Sequence, residues 1–273
     1  MCDTCGCLIT DANRHLLEDE KPHAPVHDPG HSHPHDPAHH QPGGGRATVQ
    51  VLQNLLDAND QQAAHNREHF DQYGVLALNL MSSPGSGKTS LLEATLDALQ
   101  GEMRIAVIEG DLETENDAQR IRARGVPALQ ITTGTACHLD AHMIHRALHE
   151  LALEGLDLLF IENVGNLVCP ASFDLGQHLN LALLSVTDGD DKPSKYPVMF
   201  RAADLVLVTK TDLLPHLDDF EVGRAESNLR ALASRAPLLA LSARRGPGLE
   251  AWLTWLRGQV AFQRARRQPQ AAK

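Results

Sequence analysis

The pattern of apolar and polar positions changes twice along the chain. Residues 1–45 offer little apolar surface and no regular period. Ala47–His69 then sets Val51, Leu52, Leu55 and Leu56 at helical intervals. From Gly74 onward, short apolar runs alternate with amphipathic segments. The runs predict strands at Val75–Met81, Arg104–Ile108, Ala128–Thr132, Leu156–Ile161, Leu181–Val186, Leu205–Thr209 and Leu238–Leu241. The amphipathic segments predict helices at Lys88–Leu99, Glu115–Arg124, His138–Leu153, Phe220–Ala233 and Leu249–Val260. Strands that alternate with helices need crossover connections, so the expected fold is α/β, with a mostly parallel central sheet flanked by helices. The chain divides into a tail at 1–45, a helical segment at 46–73, an α/β domain at 74–262 and a basic tail at 263–273 carrying Arg264, Arg266 and Arg267.

The first 45 residues have a composition of their own. Cys2, Cys5 and Cys7 open the chain, and seven histidines follow between His23 and His40. Pro22, Pro25, Pro29, Pro34, Pro37 and Pro42 interrupt or flank that tract, which prevents a helix. A segment that is poor in apolar residues and broken by prolines is expected to be a disordered, metal-binding tail. The whole chain of 273 residues carries 24 basic and 35 acidic side chains, a net charge of −11. That balance disfavours a general nucleic-acid binder, which needs a basic footprint. No apolar run is long enough to span a bilayer, and the N-terminus has no secretory pattern. The expected location is the cytoplasm, where thiols stay reduced, so the five cysteines are read as metal ligands or core residues.

Ser82-Ser83-Pro84-Gly85-Ser86-Gly87-Lys88-Thr89 follows a predicted strand and opens a predicted helix. This is the context of a phosphate-binding P-loop. Gly85, Ser86 and Gly87 let backbone amides turn around phosphate oxygens, and the helix start with Ser90 adds a positive dipole end. Lys88 can reach the β- and γ-phosphates, and the Thr89 hydroxyl can ligate Mg2+. Ser82 stands where the motif usually begins with glycine. Further along, Thr209-Lys210-Thr211-Asp212 resembles the base-reading Asn-Lys-x-Asp of GTPases, with threonine in place of asparagine. There Asp212 would accept from guanine, and the Lys210 stem would lie along the ring. Ser242-Ala243 resembles the second base-contacting loop. Glu162-Asn163-Val164-Gly165 resembles a γ-phosphate sensor. Asp111, after Ile105–Gly110, is the candidate for organising Mg2+ and the attacking water; a plain helix-start carboxylate is the competing reading.

Two constellations could hold a transition metal. Cys2-x-x-Cys5-x-Cys7 offers three thiolates on a short segment, suited to zinc, copper(I) or, with nitrogen donors, nickel(II). Cys137-His138 falls at a predicted helix start, where a loop or cap lets both side chains converge. Cys169 lies just beyond the sensor, in Asn166-Leu167-Val168-Cys169-Pro170. Spacing alone leaves two readings for these residues: a joint metal site, or two independent buried cysteines. His142, His145 and His149 continue from His138 as a polar helix flank, with Ile144, Leu148 and Leu151 marking the buried face.

These segments, with Ser185-Val186-Thr187-Asp188-Gly189-Asp190-Asp191-Lys192-Pro193-x-Lys195-Tyr196-Pro197, resemble the hydrogenase nickel-incorporation GTPases of the HypB family. The resemblance covers nearly the whole chain. It implies a dimeric P-loop GTPase of the SIMIBI class that uses GTP/GDP and Mg2+ and helps deliver nickel to NiFe hydrogenase. Its implied partners are maturation accessory proteins and the hydrogenase large-subunit precursor, with neither nucleic acid nor membrane among them. By the same resemblance Cys2, Cys5 and Cys7 match an N-terminal nickel site. Cys137, His138 and Cys169 match a second site that takes Ni2+ or Zn2+. Three alternatives are weighed beside it: a nickel storage protein built on the histidine tract, a urease-type nickel accessory GTPase, and a small-molecule kinase sharing the P-loop.

Overall fold

The computed structural model describes residues 44–111, 116–244 and 248–267. The Cys2–Cys7 cluster and the histidine tract lie outside these residues. Seven strands form one sheet: β1 (Leu76–Ser82), β2 (Ile105–Asp111), β3 (Ala128–Thr132), β4 (Leu158–Glu162), β5 (Leu179–Ser185), β6 (Leu205–Thr209) and β7 (Leu238–Ala240). Their order is β3-β2-β4-β1-β5-β6-β7, and every paired neighbour is parallel. Among the described residues, eight α-helices connect or flank them: α1 (Gly44–Tyr73), α2 (Lys88–Leu99), α3 (Asn116–Arg122), α4 (Ala141–Leu148), α5 (Lys192–Lys195), α6 (Pro197–Ala202), α7 (Val222–Ala231) and α8 (Leu249–Arg267). The mostly parallel α/β reading holds.

The strands are buried on both faces, so their sequences read as continuous apolar runs. Leu76, Leu78 and Leu80 of β1 face α2 and α8, in a core with Leu92, Leu96, Trp252 and Leu256. Ala77 and Val75 face the other way, with Phe70 of α1 and Ile144 of α4. A third cluster joins Met199, Phe200 and Leu229 to β5 and β6. Trp252 donates from its buried indole nitrogen to Thr95 Oγ1 at 2.9 Å, which fixes α8 against α2.

The largest departures from the sequence reading are in three helices. Helix α4 begins at Ala141, because Asp140 caps it by accepting from the Met143 amide at 2.8 Å; it ends at Leu148. Helix α8 runs on through Arg267, into the segment read as a basic tail. Gln263 is buried there and donates to Asp71 at 2.9 Å, while Arg264 pairs with Asp157 at 2.7 Å. Helix α1 starts at Gly44 and packs on α4 along Leu55, Asn59, Ala63, Asn66 and Phe70. Two of those five are asparagines, so hydrophobicity alone could not trace the stripe. No helix among the described residues is long and apolar enough to cross a membrane.

Candidate functional site

Strand β1 lies at the centre of the sheet, between β4 and β5, and its carboxyl end runs directly into the phosphate loop. That placement is the topological switch point where open α/β sheets bind ligands. The loop turns through Gly85 and Gly87; the latter caps α2 at φ 95°, a backbone conformation that suits glycine. A cavity of about 460 Å³ opens here. Gly85, Gly87, Lys88, Thr89, Ser90, Asp111, Glu162 and Lys210 line it, all of them singled out by sequence. Glu109, Asp117, Arg120 and Arg244, which sequence reasoning missed, line it too.

The loop is tied to its neighbours side chain by side chain. Lys88 Nζ donates to Ser82 Oγ at 3.0 Å, so the serine in the first loop position holds the lysine over the nest. Asp188 accepts from Ser83 Oγ at 2.7 Å and from the Ser185 amide at 3.2 Å. Thr209 Oγ1 donates to the Ser86 carbonyl at 2.7 Å, and Lys210 Nζ to the Gly85 carbonyl at 2.6 Å. Ser242 Oγ donates to Asp212 Oδ1 at 2.6 Å and orients that carboxylate beside the Lys210 turn. Ala243 follows Ser242 at the same end of the sheet.

Opposite the loop, Glu109, Asp117 and Glu162 offer carboxylate oxygens that lie within 4.8 Å of one another. Thr89 Oγ1 is 3.1 Å from both Asp117 Oδ2 and Glu162 Oε1. Burial raises the Glu162 carboxyl against the pull of Lys88, whose Nζ is 4.0 Å away. Burial, then the charges of Glu162 and Asp117, raise Glu109 further. Glu109 Oε2 and Glu162 Oε2 are buried and have no hydrogen-bond partner among the described residues. Crowded acidic oxygens of this kind fit a hard cation beside a phosphate group. Asp111 lines the same cavity from the end of β2, outside this trio. A sequence signal for Glu109 was present: a carboxylate directly after the apolar run Ile105–Ile108.

A second cluster brings together Cys137, His138 and Cys169, with ligand atoms all within 4.8 Å. Spacing left two readings open, and the fold brings the three residues together, as a joint site requires. Cys137 Sγ lies 3.8 Å from His138 Nδ1. The His138 ring stacks on Phe173, centroids 4.0 Å apart, and its Nε2 is buried without a partner among the described residues. Burial lowers His138 to about 4, so its imidazole is neutral and its lone pair is available. Burial, and then Cys169, push the Cys137 thiol up, so metal entry must displace its proton.

The two clusters are joined by Asn163. Its Oδ1 accepts from the Leu139 amide at 3.1 Å and from the Val164 amide at 3.0 Å. Its Nδ2 donates to Asn79 in β1 at 3.2 Å. Leu139 also packs tightly on Gly110 at the end of β2, where a Cβ would fall 2.7 Å from its Cγ. The loop after β4 and the loop carrying Cys137 thus share an asparagine.

A parallel sheet with a glycine-rich phosphate loop leaving the carboxyl end of its central strand defines a P-loop nucleotide-binding protein. Residues 76–240 match the family model described as CobW/HypB/UreG, nucleotide-binding domain. The chain is 55% identical to a hydrogenase maturation factor HypB of Azotobacter chroococcum over 213 residues, 77% of this chain and 69% of that protein. It superposes on the crystal structure of HypB from Helicobacter pylori in complex with nickel with a TM-score of 0.72 and 44% identity, covering 75% of this chain and 96% of that one. For HypB of Archaeoglobus fulgidus the TM-score is 0.70 at 39% identity, covering 75% and 100%. The chain belongs to the HypB family of hydrogenase maturation factors, P-loop GTPases of the CobW/HypB/UreG group.

Proposed function

We propose that the protein is a GTP-gated nickel carrier of NiFe hydrogenase maturation, working as a homodimer in the cytoplasm. The observation that carries this reading is the Asn163 link between the γ-phosphate-facing loop and the loop bearing Cys137 and His138. In this reading Cys137, His138 and Cys169 carry the nickel that is passed on. The same three donors suit Zn2+, which takes thiolate and imidazole ligands tetrahedrally. Cys2, Cys5 and Cys7 form a separate capture site, and the receiving partners are accessory proteins and the hydrogenase large-subunit precursor.

The chemistry of the nucleotide site follows from the side chains in place. The backbone of Gly85–Thr89 and the start of α2 bind the phosphates, and Lys88 leaves Ser82 to meet the β- and γ-oxygens. Thr89, Asp117 and Glu162, with Glu109 behind them, would hold Mg2+, which neutralises charge on the phosphates when bound. Glu162 and Asp111 face the place from which water attacks the γ-phosphate. Asp212, oriented by Ser242, accepts from the guanine N–H groups, and Lys210 lies along the base. When γ-phosphate draws in the loop after Glu162, Asn163 moves and takes the Leu139 amide with it. Affinity for metal then changes with nucleotide state, and by linkage affinity for GTP changes with metal by the same factor.

The test is nickel binding to the full chain with GDP and with a non-hydrolysable GTP analogue, for wild type and for Cys137→Ala. The expected coupling at the Cys137 site is about 1–3 kcal/mol, roughly 5- to 150-fold in affinity. Equal affinity in the two nucleotide states at that site would overturn gated transfer and favour nickel storage.

A further inference from the structure

Away from both clusters, helices α1 and α4 turn two histidine pairs toward each other. His65 and His69 sit one turn apart on α1, with Nε2 atoms 3.1 Å apart. His145 on α4 and His149 at its carboxyl cap repeat the arrangement, with Nε2 atoms 3.2 Å apart. Residues four apart share a helix face, so each pair is a ready two-nitrogen chelate. The pairs also meet: the His145 ring centroid is 5.3 Å from that of His65 and 6.1 Å from that of His69. Within the pairs the centroids are 4.6 and 4.7 Å apart. A polar helix flank facing only water would not bring His145 of α4 against both His65 and His69 of α1.

We propose that His65, His69, His145 and His149 form a further binding site for a divalent late transition metal, one that bridges α1 and α4. The spacing agrees with metal geometry. Metal–imidazole bonds of about 2.0–2.1 Å, plus about 1.2 Å from nitrogen to ring centre, put each centroid about 3.2 Å from the ion. Ring centres then stand about 5.3 Å apart for tetrahedral neighbours and about 4.6 Å for adjacent square-planar ones; the two pairs and His65–His145 are within that range, while His69 stands 6.1 Å from His145 and must turn toward it to share an ion. His145 Nδ1 is buried with no hydrogen-bond partner among the described residues. Burial, then the neighbouring imidazoles, lower the His145 pKa, which keeps it neutral and its lone pair free. Borderline ions such as nickel, zinc and copper take nitrogen donors of this kind. His65 and His149 are exposed, so their rings are free to turn onto an ion without disturbing the core.

Such a site would act as a clamp. Helix α1 joins the first 43 residues to the domain, and its Asn59 and Asn66 already bracket Ala141, the first residue of α4, at 2.9 and 2.8 Å. Ala141 lies three residues after His138. An ion at the histidine quartet would fix α1 against the helix that leaves the Cys137-His138 loop. It would do so whether or not GTP gates that loop.

Residue-resolved footprinting of the full chain tests this. Diethyl pyrocarbonate labels free imidazole nitrogens, and mass spectrometry reads each histidine separately from the 23–40 tract. Titration with Ni2+, and separately with Zn2+, should protect His65, His69, His145 and His149 together, in wild type and in Cys137→Ala alike. In His65→Gln/His69→Gln, the metal concentration that protects His145 and His149 should rise about tenfold or more. The single variants His65→Gln and His149→Gln, at exposed positions, should give the same weakening with an unchanged metal-free melting curve. Labelling of the four histidines that ignores saturating Ni2+ and Zn2+ would overturn the site. Protection of His145 and His149 that persists undiminished in the α1 variants would overturn the bridge between helices.

Discussion

Thr209 stands where base-reading GTPase motifs carry asparagine, and its surroundings give the hydroxyl a task. It is buried at the end of β6 and donates to the Ser86 carbonyl, fastening the phosphate loop to the turn that carries Lys210 and Asp212. Thr209→Val keeps the shape and leaves that carbonyl unpaired, a loss of about 1–3 kcal/mol. GTP and GDP should weaken equally in a fluorescent-nucleotide titration; unchanged affinity would mean that the bond does not shape the loop. Asp212 governs a different property. Asp212→Asn replaces an acceptor with a donor, so guanine loses a partner and xanthine gains one. The expected loss for GTP is about 1.5–3 kcal/mol, with XTP moving the opposite way in competition. Equal preference in the two proteins would remove Asp212 from base recognition. Lys88→Ala should abolish GTP turnover, since no other lysine in the cavity points from the loop; wild-type phosphate release by this variant would reassign the loop.

At the scale of elements, the central result is that two functional loops share a few buried contacts. Asn163→Ala removes the acceptor for the Leu139 and Val164 amides, at a cost of about 1–3 kcal/mol of stability. Its distinctive effect should be on coupling: nickel affinity at Cys137 should become the same with GDP and with a GTP analogue, while metal still binds. A variant that retains full nucleotide dependence would show that Asn163 is a bystander. The strands were legible in the sequence to within three residues because burial on both faces makes them unbroken apolar runs, the largest miss being the end of β2 at Asp111 rather than Ile108. The phosphate loop was legible because its chemistry demands glycines and a lysine at fixed spacing. Short helices were not, since α5, α6 and the 3-10 turn at Thr211–His216 carry Pro193, Pro197 and Pro215, which read as breaks. The role of α1 was hidden by Asn59 and Asn66, polar side chains that hydrogen-bond loops 75 or more residues away. Asp117 and Glu109 escaped notice because only the folded sheet brings them beside Glu162, whereas Asp111 follows its strand visibly in sequence.

For the whole molecule, the proposed dimer needs a face, and two of the four large exposed apolar residues among those described, apart from Leu56 on α1 and Phe262 on α8, lie close to the cysteine cluster. Val168 is 57% exposed, immediately before Cys169, and Val198 is 54% exposed on α6. The 3-10 turn that starts at Cys169 packs on α6, so both valines belong to neighbouring elements on the metal-site side of the fold. Pairing two copies there would cover the valines and could bring a fourth ligand to each Cys137-His138-Cys169 set. A GTP analogue with Mg2+ should then shift the protein from monomer toward dimer in sedimentation. Val168→Asp places an unpaired charge in that contact and should raise the dimer dissociation constant by about tenfold or more. Its side chain is exposed in the single copy, so folding and the binding of GDP should be untouched. Because Cys169 directly follows Val168, the variant should, on the proposed function, also lose the part of its nickel affinity that depends on the GTP analogue. If Val168→Asp dimerises like wild type, the interface lies elsewhere, and the two protomers carry their nickel independently.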